Sequence, residues 1–318
     1  MIPSEWLDQA RARIEPHIRR TPLTFDARRQ TYIKWENRQV TGSFKARGAF
    51  NKVLSLEPWE REAGLVAVSA GNHGQGVALA AQTSGARVEV FVPAQAVEKK
   101  VAAMRALGAE VHFVEGGYAD AEIAGREYAA RKEKTWISPY NDAQVIAGQG
   151  TIALEILEDL PEPAENWIVP VGGGGLISGI GAALVSARPR PRLVGVQSQA
   201  SPFAHAVFHR RPQEGLPDLP TLADGLSGAL ERDSVTIPLL QEFADDVLLV
   251  SEEQIAQAIA FAWYEYRETI EGSSAVTLAA ILSGQVSGAP AVALITGGNI
   301  QPEVHASILS RFSEKSWA

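Results

Sequence analysis

Val169-Pro170-Val171-Gly172-Gly173-Gly174-Gly175-Leu176 runs from a buried apolar strand, Trp167–Val171, through four glycines into a helix, Leu176–Ser186. Four glycines leave their amide N–H groups unobstructed, and the helix start adds favourable potential for an anion. The stretch reads as a phosphate cradle. It is not a Walker loop, because no Gly-Lys-Ser/Thr closes it. A strict G-x-G-x-x-G also fails, meeting Ile177 from Gly172 and Ser178 from Gly173. A tight turn with close helix–strand packing is the competing reading, but four consecutive glycines are conformationally costly.

Working outward, short apolar runs alternate with helical stretches. Leu65–Ala70, Val88–Val92, Glu110–Val114, Arg192–Gln197, Val247–Ser251 and Ala291–Thr296 read as strands. Gly76–Thr83, Val97–Leu107, Ala119–Arg131 and Val145–Leu160 read as helices, and Ser251-Glu252-Glu253 opens another that runs to about Arg267. The alternation means parallel sheets covered on both faces, an α/β fold. Pro212–Pro220 reads as a long exposed loop. A chain of 318 residues fits one large domain or two interlocked ones. The net charge of −8 argues against nucleic acid and anionic membrane surfaces as partners. The absence of cysteine removes disulfides, thiolate metal sites and cysteine nucleophiles. The first residues lack a basic and an apolar region, and no apolar run nears the ~20 residues of a membrane span, so the expected location is cytoplasmic.

Two further segments carry chemistry. Thr41-Gly42-Ser43-Phe44-Lys45-Ala46-Arg47-Gly48-Ala49 places a lysine at a helix start, with Ser43 as N-cap and Ala46, Ala49, Phe50, Val53 and Leu54 as the apolar stripe. A lysine beside the positive end of a helix loses its proton more readily, and the neutral amine is the form that condenses with an aldehyde. On its own it reads as a surface lysine. Ser69-Ala70-Gly71-Asn72-His73-Gly74-Gln75-Gly76 follows a strand and opens a helix, so its small residues expose donors suited to a carboxylate. His73 is given no acid–base role.

Together these three segments resemble the threonine/serine dehydratase and serine racemase family. The resemblance extends through Tyr32–Asn37, Val145–Thr151, Ala223-Asp224-Gly225 and Thr296-Gly297-Gly298-Asn299, over nearly the whole chain and in family order. It implies pyridoxal 5'-phosphate as cofactor and a tryptophan-synthase-β-like fold of two doubly wound, mostly parallel sheet domains with the cofactor in the cleft. The larger domain would comprise residues 1–63 and 142–318, and the smaller residues 64–141. Lys45 would carry the cofactor as a Schiff base and then act as base on the substrate Cα. Phe44 would pack beside the cofactor, Asn72 would meet its phenolic oxygen, and Gly172, Gly173, Gly174, Gly175 and Leu176 would bind its phosphate. Thr296 would meet the ring nitrogen and Glu271 would lie close by. Ser69, Ala70, Gly71, Asn72 and His73 would enclose the substrate carboxylate.

The departures matter as much. Family racemases carry serine where this chain has Ala70, and a methyl group has no proton to give. Some members bind a divalent cation through a carboxylate where this chain has Gln197-Ser198-Gln199-Ala200-Ser201-Pro202-Phe203, so no metal is expected. His205 and His209, four apart, read as surface histidines. Glu271-Gly272-Ser273-Ser274-Ala275 replaces the family's Glu-Pro-Ala/Thr-Gly/Ala, which leaves the placement of Glu271 open. The short Thr24–Tyr32 segment suggests a trimmed N-terminal strand. The resemblance implies β-elimination of a β-hydroxy amino acid: L-threonine to 2-oxobutanoate and ammonia, with L-serine to pyruvate as a side activity. The alternatives are a larger or modified β-hydroxy amino acid, racemisation, and a non-catalytic binding module. The resemblance is also consistent with a homodimer or homotetramer.

Overall fold

In a computed structural model, residues 2–313 are described. Ten strands form two sheets. β1 (Leu23–Asp26), β2 (Thr31–Trp35), β7 (Asn166–Pro170), β8 (Arg192–Ser198), β9 (Asp246–Val250) and β10 (Ala291–Ile295) form the larger, in the order β1-β2-β10-β7-β8-β9. β3 (Leu65–Val68), β4 (Val88–Pro93), β5 (Glu110–Val114) and β6 (Thr135–Trp136) form the smaller, in the order β5-β4-β3-β6. Every pairing is parallel except that of β1 with β2. This is the mostly parallel α/β fold that the strand–helix alternation implies, in the two-domain form that the family resemblance implies. Among the described residues no helix is long and apolar enough to cross a membrane.

Both sheets are buried on two faces because their strands are apolar on both sides. In β7, Trp167 and Val169 enter one core with the helices Ser4–Ile14, Ala143–Asp159 and Gly175–Leu184. Ile168 points the other way, into a core built with the helices Glu252–Tyr266 and Gly272–Leu282. In the smaller sheet, Leu65 and Ala67 pack toward the helices Lys45–Ser55 and Asn72–Ser84, while Val66 and Val68 face Tyr118–Arg131.

The helix Lys45–Ser55 is gripped from two sides. A Cβ on Gly76 would lie 3.2 Å from the Lys45 carbonyl oxygen, and one on Gly148 would lie 2.7 Å from that of Arg47. Only glycine permits the second approach, and a side chain at position 76 would have to push the Lys45 backbone aside. Beneath this helix Arg47, Glu36, Glu155 and Lys34 form a buried ionic cluster. Arg47 donates Nε to Glu36 Oε2 at 2.8 Å and Nη1 to Glu155 Oε1 at 2.7 Å, and Lys34 Nζ donates to Glu155 Oε2 at 2.6 Å. Two cations face two carboxylates, so the cluster is neutral.

One sequence expectation changes, and one helix has no counterpart in the sequence pattern. The first strand, β1, is four residues long, in register with β2 from Leu23↔Lys34 to Asp26↔Thr31. The helix Gly272–Leu282 carries no amphipathic signal because it is buried almost all round. The lysine helix begins at Lys45, with Phe44 at the N-cap position; the Ser43 hydroxyl accepts from Lys45 N at a long 3.4 Å. Ser251 caps its helix as read, accepting from Gln254 N at 3.3 Å.

Candidate active site

Lys45 and the glycine run lie on different elements, and one short segment reaches both. Ile137 to Asn141 connects β6 to the helix Ala143–Asp159. Lys45 Nζ donates to the Pro139 carbonyl at 2.8 Å. The next residue, Tyr140, packs directly on the glycines: a Cβ on Gly173 would fall 2.4 Å from its ring, and one on Gly175 3.0 Å from its Cα. Gly172 is closed off by the Leu226 backbone at 2.9 Å, and Gly174, at φ +85°, by Thr236 at 3.0 Å. Thr236 Oγ1 also donates to the Gly173 carbonyl at 2.6 Å. The loop is thus pinched from outside by groups that no side chain at these positions would tolerate. Among the described residues none of the four glycine N–H groups donates to the protein backbone or to a side chain. Leu176 follows as a buried residue of the helix start.

Lys45 is tuned by its surroundings. Burial pulls its ammonium down to about 8, with the Glu271 carboxylate opposing. Phe44 lies with its ring centroid 5.3 Å from Nζ. Thr296, at the end of β10, accepts from Phe44 N at 2.9 Å through its carbonyl, and its Oγ1 lies 3.0 Å from Ser274 Oγ.

The second helix start, at Asn72, faces the same region. Ser69 Oγ accepts from Gly71 N at 3.0 Å, and Ala70 is partly exposed beside it. His73 is buried. Its Nε2 lies 3.0 Å from the Ile137 carbonyl, which can only accept, so that nitrogen carries the proton. Burial and then the nearby Lys45 charge pull His73 down to about 3, so it stays neutral. Its Nδ1 has no partner among the described residues. Asn72 Nδ2 donates to Glu271 Oε1 at 2.7 Å, and Asn299 N donates to Glu271 Oε2 at 3.2 Å. Burial, then Asp224, pushes Glu271 up to about 7. Glu271 therefore lies at the centre of this group despite its altered neighbours. Gly272 is required there, since a Cβ would stand 1.9 Å from the Leu222 carbonyl oxygen.

A cavity of about 170 Å³ opens next to Glu271, lined also by Lys100, Asp224 and Asn299. Lys100 of the smaller unit reaches within 3.8 Å of Asp224 across it. A larger hollow, about 390 Å³, lies at the β1 edge around Phe25 and Tyr266 and holds none of these groups. Farther along, Gln197 is fully buried. It donates to the Leu226 carbonyl at 3.1 Å and accepts from His205 N at 3.1 Å. Ser201 Oγ donates to Asp218 at 2.7 Å. His205 and His209 pack edge-on, with ring centroids 4.5 Å apart. Among the described residues the grouping whose ligand atoms could converge on a metal ion is Glu89, Glu110 and His112, on β4 and β5; there Glu89 is already held by Lys134 and His112.

Tyr140, Thr236, Pro139 and Asn299 are residues of this site whose roles the sequence did not reveal. Only Asn299 lay within a quoted motif. Pro139 acts through its backbone carbonyl and Tyr140 through close packing, which leave no mark on residue type, while the Thr236 hydroxyl meets a glycine 63 residues away in sequence.

Comparison with known proteins agrees with this geometry. The family model described as pyridoxal-phosphate dependent enzyme matches residues 14–297. The L-threonine ammonia-lyase of Thermotoga maritima is 39% identical over 99% of this chain and 80% of its own length. The crystal structure of a T.th. threonine deaminase superposes with a TM-score of 0.86 at 35% identity, covering 94% of this chain and 99% of that one. Maize serine racemase superposes with a TM-score of 0.89 at 28% identity, covering 99% of each. The chain belongs to the pyridoxal-phosphate dependent enzyme family, and pyridoxal phosphate is its cofactor. The residues present fit that group: the pinched loop with free N–H donors suits a phosphate, and a desolvated amine suits an aldehyde.

Proposed function

We propose that this family member is a threonine dehydratase, converting L-threonine to 2-oxobutanoate and ammonia, with L-serine to pyruvate as a side reaction. The observation that carries the reading is the joint placement of the Lys45 amine and the glycine loop against residues 139 and 140. The homology to L-threonine ammonia-lyases supports the choice of substrate.

In this reading Gly172 to Gly175 and Leu176 hold the cofactor phosphate, Lys45 holds its aldehyde carbon, and Asn72 meets its phenolic oxygen. Thr296 Oγ1 meets the ring nitrogen, with Phe44 alongside. Bound there, pyridoxal phosphate supplies the electron sink that makes the substrate Cα–H acidic. Lys45 takes the Cα proton. A pKa near 8 leaves an appreciable neutral fraction of the amine at neutral pH, which suits a general base. The free N–H groups at the start of the helix Asn72–Ser84, with Ser69 and Gly71, hold the substrate carboxylate and so orient Cα. The His73 side chain faces the Ile137 carbonyl; it takes part through its backbone. Thr296 presents a hydroxyl rather than a carboxylate to the ring nitrogen. A hydroxyl there would not keep a proton on that nitrogen, so the cofactor would act as a weaker electron sink than one paired with a carboxylate. Residues 64–141 would form the smaller domain, which carries the substrate loop.

Elimination needs one base on one face of Cα, whereas racemisation needs a donor on the other face. The Ala70 methyl cannot serve there. The test is a panel of L-amino acids assayed for both 2-oxo acid and D-isomer. L-threonine should give the highest kcat/KM for 2-oxobutanoate, with D-isomer negligible. Comparable rates of D-serine and pyruvate formation would overturn the assignment.

A further inference from the structure

The amide of Asn72 can face two ways, and its surroundings decide between them. The decision begins at Thr41, a β-branched residue held at φ +62°, in the left-handed region that favours glycine. Its hydroxyl is buried without a partner among the described residues. A strained residue with an unsatisfied hydroxyl persists only where its neighbours over-determine it, and such outliers cluster at functional sites. What the conformation accomplishes is visible in the hydrogen bonds. The Thr41 carbonyl accepts from Asn299 Nδ2 at 2.8 Å.

A carbonyl can only accept, so the NH2 group of Asn299 must face Thr41. The same NH2 group donates its second hydrogen to Asn72 Oδ1 at 2.7 Å. With its oxygen committed, Asn72 turns its own NH2 toward Glu271 Oε1, at 2.7 Å. One N–H of Asn72 is left over. Gly42, at φ +72°, completes the fit: a Cβ there would come within 2.7 Å of Asn299 Oδ1. The orientation is therefore propagated from a backbone carbonyl that cannot be reversed.

We propose that Asn299, anchored on the strained Thr41 carbonyl, is a positioning residue that fixes Asn72 as a hydrogen-bond donor toward the phenolic oxygen of the cofactor. The proposal rests on the reading above that Asn72 meets that oxygen. A donor there favours the ionised oxygen, because a hydrogen bond to a charged form stabilises it. A reversed amide would present a carbonyl and drive the proton back onto the oxygen.

Asn299→Asp tests this. It keeps the shape but offers only acceptors to both Thr41 O and Asn72 Oδ1. The readouts are the ratio of the cofactor's long-wavelength band to its near-ultraviolet band, and the equilibrium dissociation constant of the cofactor, measured by fluorescence titration of the cofactor-free protein. The ratio should fall, and the dissociation constant should rise roughly 10-fold. Lowering the pH should restore part of the ratio, as the new carboxyl gains a proton and becomes a donor again; a purely structural lesion would not recover. Asn299→Ala removes the donor without adding charge. It should shift the ratio the same way with no recovery at low pH, and it serves if the aspartate variant fails to fold. Asn72→Ala separates the two layers. If it shifts the ratio while both Asn299 variants match the unmodified protein, the positioning role is wrong and the Asn72 reading stands. If Asn72→Ala leaves ratio and affinity unchanged, both are overturned.

Discussion

Arg47→Met is the substitution whose effect the structure prescribes most fully. Met matches the length of the arginine stem, so packing along the helix is largely kept, but the guanidinium is lost. Arg47 and Lys34 have side chains with 0% exposure, and those of Glu36 and Glu155 reach only 0% and 8%. Removing the guanidinium strips Glu36 of its bonds to Nε and Nη2, both 2.8 Å, and Glu155 of those to Nη1 at 2.7 Å and Nη2 at 3.0 Å. Lys34 then faces two buried carboxylates alone. Leaving one buried charge uncompensated costs roughly 3–5 kcal/mol, against a total stability of about 5–15 kcal/mol for a typical domain. Arg47→Met/Glu36→Gln should recover most of the loss, since no charge is then left without a counterpart. The assay is urea unfolding of the cofactor-free protein followed by circular dichroism. A single-variant loss below about 1 kcal/mol, or a double variant no better than the single, would refute the reading of this cluster as buried charges that compensate one another.

Two titrating groups in the site should shape the stability of the cofactor-free protein. Glu271 sits at about 7 against an ordinary 4.5, so the stability it confers below 4.5 is lost as pH rises through 7. Lys45 sits at about 8 against 10.5, so its contribution is present above 10.5 and lost as pH falls through 8. Calorimetry should find that Lys45→Met flattens the rise in melting temperature between about pH 8 and 10.5, and that Glu271→Gln removes the fall that Glu271 adds between about pH 4.5 and 7. Thr236→Val leaves the Gly173 carbonyl without its donor; it should destabilise by roughly 1–3 kcal/mol and raise the cofactor dissociation constant, read by fluorescence titration. Ala70→Ser should raise D-serine formation from L-serine, measured by chiral chromatography, because it supplies the proton donor that position lacks. Treatment with a chelator should leave 2-oxo acid formation unchanged; loss of activity restored by magnesium or calcium would show a metal requirement.

What was legible in the sequence was what residue type alone determines. Four glycines between a strand and a helix announce a loop where side chains cannot stand, and each of the four does abut a neighbour that excludes a Cβ. The strand runs were readable because both faces of the sheets are apolar, and Glu110–Val114 was found with its bounds correct. The helix Gly272–Leu282 escaped because a segment buried all round has no polar face to set a period. β6 escaped because it is two residues long. The hydrogen bond from Asn299 to the Thr41 carbonyl spans 258 residues of sequence, and no local pattern encodes a contact at that range. Pro139 and Thr41 act through carbonyl oxygens that every residue possesses. Their roles follow from where the fold puts the backbone.

The segment from Ile137 to Asn141 has one more implication. It is the covalent link between β6 and the helix Ala143–Asp159. It also accepts from His73 and Lys45 through two of its carbonyls, and Asn141 Nδ2 donates to Glu231 Oε2 at 2.8 Å. Arg126, on the helix that covers the smaller sheet, lies 2.8 Å from the same Glu231. Any swing of the smaller sheet must therefore pull on the residues that pinch the glycine loop. Reciprocity then applies: whatever free energy phosphate occupancy lends to the placement of this segment, that placement returns to phosphate affinity in equal measure. A substitution that loosens this segment from its far side, at Glu231 or Arg126, would then weaken the hold on the phosphate without touching the glycines.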